Sequence, residues 1–219
     1  MTRPSPPPAR AETGSPLVYV VDDDEPTAKA MARLLGAAGF EVRTSASAHD
    51  FLARFEPNTA GCVVLDMRLP GPSGLDLQDL IAAGENPLPV IFLTGHGEVR
   101  DSVRAIQRGA VDFLTKPVEA QALIGAVTRA LAQDRVNRDA RSHRQRLRHH
   151  FDRLTSRERE VFAHLVCGQL NKQVAADLHI GERTIKLHRA QIFRKLETDS
   201  IAGLTRIAIE LGIEPPGGI

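Results

Sequence analysis

Three consecutive carboxylates, Asp22, Asp23 and Asp24, follow a run of β-forming apolar residues, LVYVV at 17–21, and a fourth, Asp66, closes a second such run, CVVLD at 62–66. Thr94 ends VIFLT at 90–94, and Lys116 follows VDFLT at 111–115. If these runs are neighbouring parallel strands, their ends lie side by side, and Asp22 or Asp23 faces Asp66 across a small crevice. Mutual repulsion there is tolerable around a hard divalent cation such as Mg²⁺. A hydroxyl and an ammonium at the next two strand ends complete a site suited to a phosphoryl group, whose charge metal and lysine neutralise while the hydroxyl donates a hydrogen bond. Each residue alone reads as an ordinary loop or strand position. Their joint occurrence at four strand ends carries the chemical reading.

The elements that must position these groups alternate. Five apolar runs (17–21, 40–44, 62–66, 90–94, 111–115) are separated by helix-like stretches near 26–38, 47–55, 73–83, 98–108 and 118–133. Several runs are continuously apolar, as strands buried on both faces are. The pattern predicts an α/β domain at 17–128, a (βα)5 doubly wound parallel sheet with its chemistry at the carboxyl ends of the strands. Residues 1–16, with five prolines, read as a disordered leader, and 214–219 as a tail.

Length and composition agree with two modest domains. The 219 residues are 42% hydrophobic and 25% charged, with net charge +1, which excludes collagen, rods and wholly disordered chains. No apolar run suits a bilayer span or a signal peptide, so the chain is expected to be cytoplasmic with no membrane partner. Cys62 and Cys167, far apart in apolar surroundings, suggest neither a disulfide framework nor a zinc site. The near-neutral total conceals an asymmetry. Residues 17–125 carry nine Lys/Arg against fifteen Asp/Glu, and residues 126–219 carry seventeen against eleven. An acidic module is joined to a basic one, and the second favours nucleic acid.

Residues 129–151 read as a basic helical linker, with eight Arg and no Gly or Pro across 129–153. Residues 152–213 read as an all-α domain of short helices: one capped by Thr155 or Ser156, then NKQVAADLHI, a break at Gly181, and ERTIKLHRAQIFRKL. Two short helices and a tight turn before a basic third helix suggest helix-turn-helix. On that third helix, from about 182 to 196, Arg183, Lys186 and Arg189 recur every three residues. Ile185, His188, Ile192 and Leu196 can turn inward. Such a helix enters a major groove with its N-terminal half at base edges, while Lys172 and the later cations meet phosphate.

The segments VVDDDEP, VVLDMRLPGPSG, FLTGHG and GAVDFLTKP resemble, in order and spacing, the signatures of bacterial response-regulator receiver domains, which are flavodoxin-like. The resemblance implies that Asp66 is the phosphoacceptor, that Asp22 and Asp23 form the acid pair of the Mg²⁺ site, that Arg68 lends its backbone carbonyl to the metal, that Thr94 is the switch hydroxyl and that Lys116 contacts the phosphoryl group. It also implies a cis Lys116–Pro117 bond and a switch role for Phe113, where many receivers carry Tyr; a phenylalanine must switch by packing alone. The donor would be a phosphohistidine of a partner sensor histidine kinase, and the receiver would promote only its own phosphorylation and dephosphorylation, so the chain is not otherwise an enzyme.

Residues 154–196, continuing through TDSIAGLTRIA, resemble the LuxR-type helix-turn-helix domain, with Glu158, Val161, Gly168, Asn171, Lys172, Ala175, Thr184, Lys186, His188 and Arg189 at expected places. Together the two resemblances place the chain nearest the FixJ-like branch of the FixJ/NarL response regulators. They imply a transcriptional regulator that binds double-stranded promoter DNA through Lys172, Arg183, Thr184, Lys186, Leu187, Arg189, Arg194 and Lys195, forms a homodimer when phosphorylated, and has RNA polymerase as a further partner. Ala190 departs from the larger polar residue often found there. Two other readings fit less well. A haloacid-dehalogenase-type phosphatase would use Asp22 and Asp24 but leaves Asp66 and the basic half unexplained. An RNA- or protein-binding output would rest on the Arg-rich 129–153, which lacks interleaved aromatics.

Overall fold

The computed structural model describes residues 15–95 and 107–213. The chain divides into two compact units, one running to Arg138 and the other beginning at Asp139. Most of the leader, the tail and the helix expected near 98–108 lie outside the described residues.

In the first unit, strands β1 (Leu17–Val21), β2 (Glu41–Ser45), β3 (Gly61–Asp66), β4 (Val90–Thr94) and β5 (Asp112–Thr115) form a parallel sheet in the order β2-β1-β3-β4-β5. Every residue of β1, β3 and β4 is buried, which explains their unbroken apolar runs. Alternate side chains supply two cores. Tyr19, Val21, Val63, Leu65 and Phe92 face helices α2 (Ala48–Arg54) and α3 (Gly74–Ala82). Val18, Val20, Val64, Ile91 and Leu93 face α1 (Glu25–Ala37) and α4 (Ala120–Asp152). The expected flavodoxin-like α/β class is therefore observed. Strand β2 begins one residue later than the apolar run suggests and is largely exposed, because it is an edge strand with a single neighbour.

Side-chain caps fix the helix starts: Ser47 accepts from Asp50 N, and Ser73 and Asp76 form a capping box. Gly74 opens α3 because a Cβ there would stand 2.4 Å from the Asp66 carbonyl oxygen. The largest difference from expectation concerns α4. The stretches expected at 118–133 and 129–151 are one helix of 33 residues, since nothing between them breaks the backbone ladder. Its Asp134, 2% exposed, accepts from Gly61 N at 3.0 Å and so holds the start of β3.

In the second unit, α5 (Ser156–Val166), α6 (Asn171–Asp177), α7 (Glu182–Lys195) and α8 (Ile201–Leu211) close over Phe151, Val161, Phe162, Leu165, Ile185, Ile192 and Leu204. Thr155 and Glu158 form the capping box of α5. Gly212, at φ 64°, ends α8 in the left-handed region. Among the described residues no helix is long and apolar enough to cross a membrane.

Candidate functional site

Strand register places the acidic groups. Val21 pairs with Leu65, so Asp22, one residue on, stands level with Asp66, while Asp66 pairs with Leu93 and Thr94 with Thr115. Four strands thus deliver Asp22, Asp66, Thr94 and Lys116 to one edge of the sheet. Carboxylate oxygens of Asp22, Asp23 and Asp66 lie within 4.8 Å of one another, with Asp22 and Asp66 buried and Asp23 exposed. Lys116 Nζ donates to Asp22 Oδ2 at 2.7 Å and to Asp66 Oδ2 at 2.6 Å. Backbone N–H groups occupy the other oxygens: Asp24 N donates to Asp22 Oδ1 at 3.0 Å and Arg68 N to Asp66 Oδ1 at 3.1 Å. The Lys116–Pro117 peptide is cis, as the resemblance implied.

Burial pushes the Asp22 carboxyl above its ordinary range, and the Lys116 ammonium only partly offsets it. Burial by itself would lower the Lys116 ammonium, but its hydrogen bonds to Asp22 and Asp66 outweigh that and hold it above its ordinary value. Three carboxylates against one ammonium leave an excess of negative charge at a site with oxygen donors, the donor set a hard dication takes. The residues present fit Mg²⁺.

Thr94 is 4% exposed and its hydroxyl donates to the Gly95 carbonyl at 3.1 Å. Phe113 is half-buried and stacks on Phe92 with centroids 5.4 Å apart. The structure therefore gathers Asp22, Asp23, Asp66, Lys116 and Thr94 at the strand ends, with Arg68 on the adjoining loop and Phe113 on β5 packed against the sheet.

The basic unit carries a second surface. Along α7, Arg183, Thr184, Lys186, Leu187, Ala190 and Arg194 are exposed, as is Lys172 on α6, while Ile185, Ile192 and Leu196 are buried and His188 half-buried. Two expected contact residues are engaged inside the domain. Arg189 Nη1 donates to Asn171 Oδ1 at 3.3 Å, with its guanidinium 5.3 Å from the Phe193 ring centre. Lys195 Nζ donates to Glu158 Oε2 at 2.6 Å and to the Arg153 carbonyl at 3.1 Å. The position of Lys195 late in α7 gives no hint of a partner 37 residues upstream. The signal that was available is Glu158, an acid at the third position of a capping box whose side chain points into the domain.

Comparisons agree with both halves. Residues 18–128 match the family model "Response regulator receiver domain", and residues 152–208 match "Bacterial regulatory proteins, luxR family". Nodulation protein W of Bradyrhizobium diazoefficiens is 41% identical over 197 residues, covering 90% of this chain and 87% of that protein. The transcriptional regulatory protein FixJ of Rhizobium meliloti is 39% identical over 203 residues, covering 90% and 97%. Among solved structures, the response regulator StyR superposes with TM-score 0.79 at 41% identity, covering 90% of this chain and 100% of that one.

Proposed function

The chain belongs to the two-component response regulators that join a receiver domain to a luxR-family DNA-binding domain, and on that premise we propose that Asp66 is its phosphoacceptor and that phosphorylation there controls dimerisation and promoter binding. The observation that carries the reading is the setting of Asp66. It is buried, it is held by Lys116 and by the Arg68 N–H, and two further carboxylates lie within 4.8 Å.

The receiver takes its phosphoryl group from a partner histidine kinase. A carboxylate oxygen of Asp66 attacks the phosphorus of the kinase phosphohistidine, the P–N bond breaks, and the imidazole leaves with the electron pair. Asp22, Asp23, Asp66 and the Arg68 carbonyl would hold Mg²⁺, which supplies charge neutralisation for the transferring group. Lys116, already bonded to Asp66, stays with it and pairs with a phosphoryl oxygen. The Thr94 hydroxyl turns from the Gly95 carbonyl to donate to another. Phe113 then repacks toward the space Thr94 vacates, and this shift of a two-state equilibrium is what the second unit responds to. Phosphorylation-driven pairing of two chains brings two copies of α7 to two half-sites of promoter duplex. Lys172, Arg183, Thr184, Lys186, Leu187 and Arg194 meet the DNA, and a smaller share of the contact falls to the internally engaged Arg189 and Lys195. The setting is cytoplasmic, RNA polymerase is the further partner, and the receiver turns over no substrate but its own phosphoryl group.

Intact mass after incubation with Mg²⁺ and a small-molecule phosphoryl donor tests this. The wild type should gain one phosphoryl group and Asp66→Asn none. Equal gain by both would remove Asp66 from the role.

A further inference from the structure

Helical geometry puts Arg183, Leu187, Ala190 and Arg194 on one stripe of α7, because they are spaced by four, three and four residues. All four are exposed. Leu187 is 63% exposed, among the few large apolar side chains of the described residues left in solvent. A single exposed leucine is unremarkable on an arbitrary surface. Here it stands in the middle of a basic surface, with a cation at each end of its stripe and a methyl-bearing alanine beside it.

The two cations nearest this centre are turned aside. Arg189 is turned back onto Asn171 and Phe193. Lys186, one residue before Leu187, lies at the flank of the stripe, 3.6 Å from Glu182. The midpoint of the stripe therefore offers hydrocarbon, flanked by the Thr184 hydroxyl one turn before and by Gln191 one turn after, whose Oε1 accepts from Arg194 Nη2 at 2.5 Å, while the ends offer guanidinium groups. In a duplex major groove the one apolar base-edge feature is the thymine 5-methyl group, and guanidinium groups suit guanine edges or phosphates.

We infer that the centre of α7 reads sequence by apolar contact: Leu187, with Ala190 beside it, covers a thymine 5-methyl group, and discrimination at that base pair depends on the methyl group rather than on a hydrogen bond. The inference rests on the reading that α7 enters the major groove.

The test uses the full-length chain, phosphorylated in Mg²⁺, and the duplex it selects from a random-sequence pool. Each dT of the selected half-site is replaced in turn by dU, which removes the 5-methyl group and leaves every hydrogen-bonding group in place. For at least one position the wild type should bind about fourfold more weakly, the loss expected for one methyl-sized apolar contact. Leu187→Ala should bind the dT and dU duplexes equally, and Leu187→Val should retain part of the difference. Being exposed, Leu187 can be replaced without unfolding the domain. Arg183→Ala is measured beside them, and a fall in affinity shows that this face of α7 is on the DNA. Equal binding of dT and dU duplexes by the wild type at every position, with Arg183→Ala impaired, would overturn the methyl reading alone. An unimpaired Arg183→Ala would overturn the groove placement and the methyl reading with it.

Discussion

Replacing Glu158 by Gln should cost the DNA-binding unit about 2 to 3 kcal/mol at pH 7. The side chain is buried, its Oε2 accepting from Thr155 N at 2.7 Å and Lys195 Nζ at 2.6 Å. Both donors share one oxygen, which the glutamine amide oxygen can replace, but the charge is removed, so two charge-assisted hydrogen bonds become two weaker bonds to a neutral acceptor. Such bonds contribute roughly 1.5 to 3 kcal/mol each, and Lys195, 20% exposed and still bonded to the Arg153 carbonyl, keeps part of its solvation. For a unit of about 80 residues, with a urea slope near 1 kcal/mol/M, the midpoint should fall by about 2 to 3 M. Far-UV circular dichroism follows the transition, and hydrogen exchange across 156–211 assigns it to this unit. The pH dependence has a fixed sign. Burial would raise the Glu158 carboxyl, but the hydrogen bond from Lys195 and those from Thr155 outweigh it and hold the group below its ordinary value of 4.5. Its contribution is therefore complete above that value and is lost as pH falls through the folded value. The gap between wild type and Glu158→Gln should be full at neutral pH and close in acid. Equal urea midpoints at pH 7, or a gap that does not narrow as pH falls below 4.5, would refute the reasoning.

Two other outcomes follow from the proposed phosphoryl site and switch. Lys116→Met removes the cation 2.6 Å from Asp66 and 2.7 Å from Asp22. The variant should bind Mg²⁺ about tenfold more tightly by titration calorimetry while losing about two orders of magnitude in phosphorylation rate; weaker Mg²⁺ binding would show that Lys116 does not compete with the metal. Sedimentation of the phosphorylated chain should report twice the mass of the unmodified one, and an unchanged monomer mass in both states would sink dimerisation as the switch.

The sequence by itself determined the class of the fold and which residues gather at the carboxyl ends of its strands. Buried parallel strands must be continuously apolar, and where those runs stop follows from the sequence, so Asp22, just past LVYVV, and Asp66 and Thr94, closing CVVLD and VIFLT, were legible in it. Spacing along one helix likewise set Arg183, Lys186 and Arg189 apart from the inward Ile185, Ile192 and Leu196, because helical periodicity is local. What the tertiary structure alone decided depends on pairs distant in the chain. That Asp134 holds Gly61 across 73 residues and that Lys195 closes on Glu158 across 37 are outcomes of packing, which periodicity does not encode. The same holds for the basic face of α7. A basic residue on an exposed helix looks equally available at every turn until its neighbours are known, and only the folded domain separates Arg183, Lys186 and Arg194, which face outward, from Arg189 and Lys195, whose charges are engaged within it.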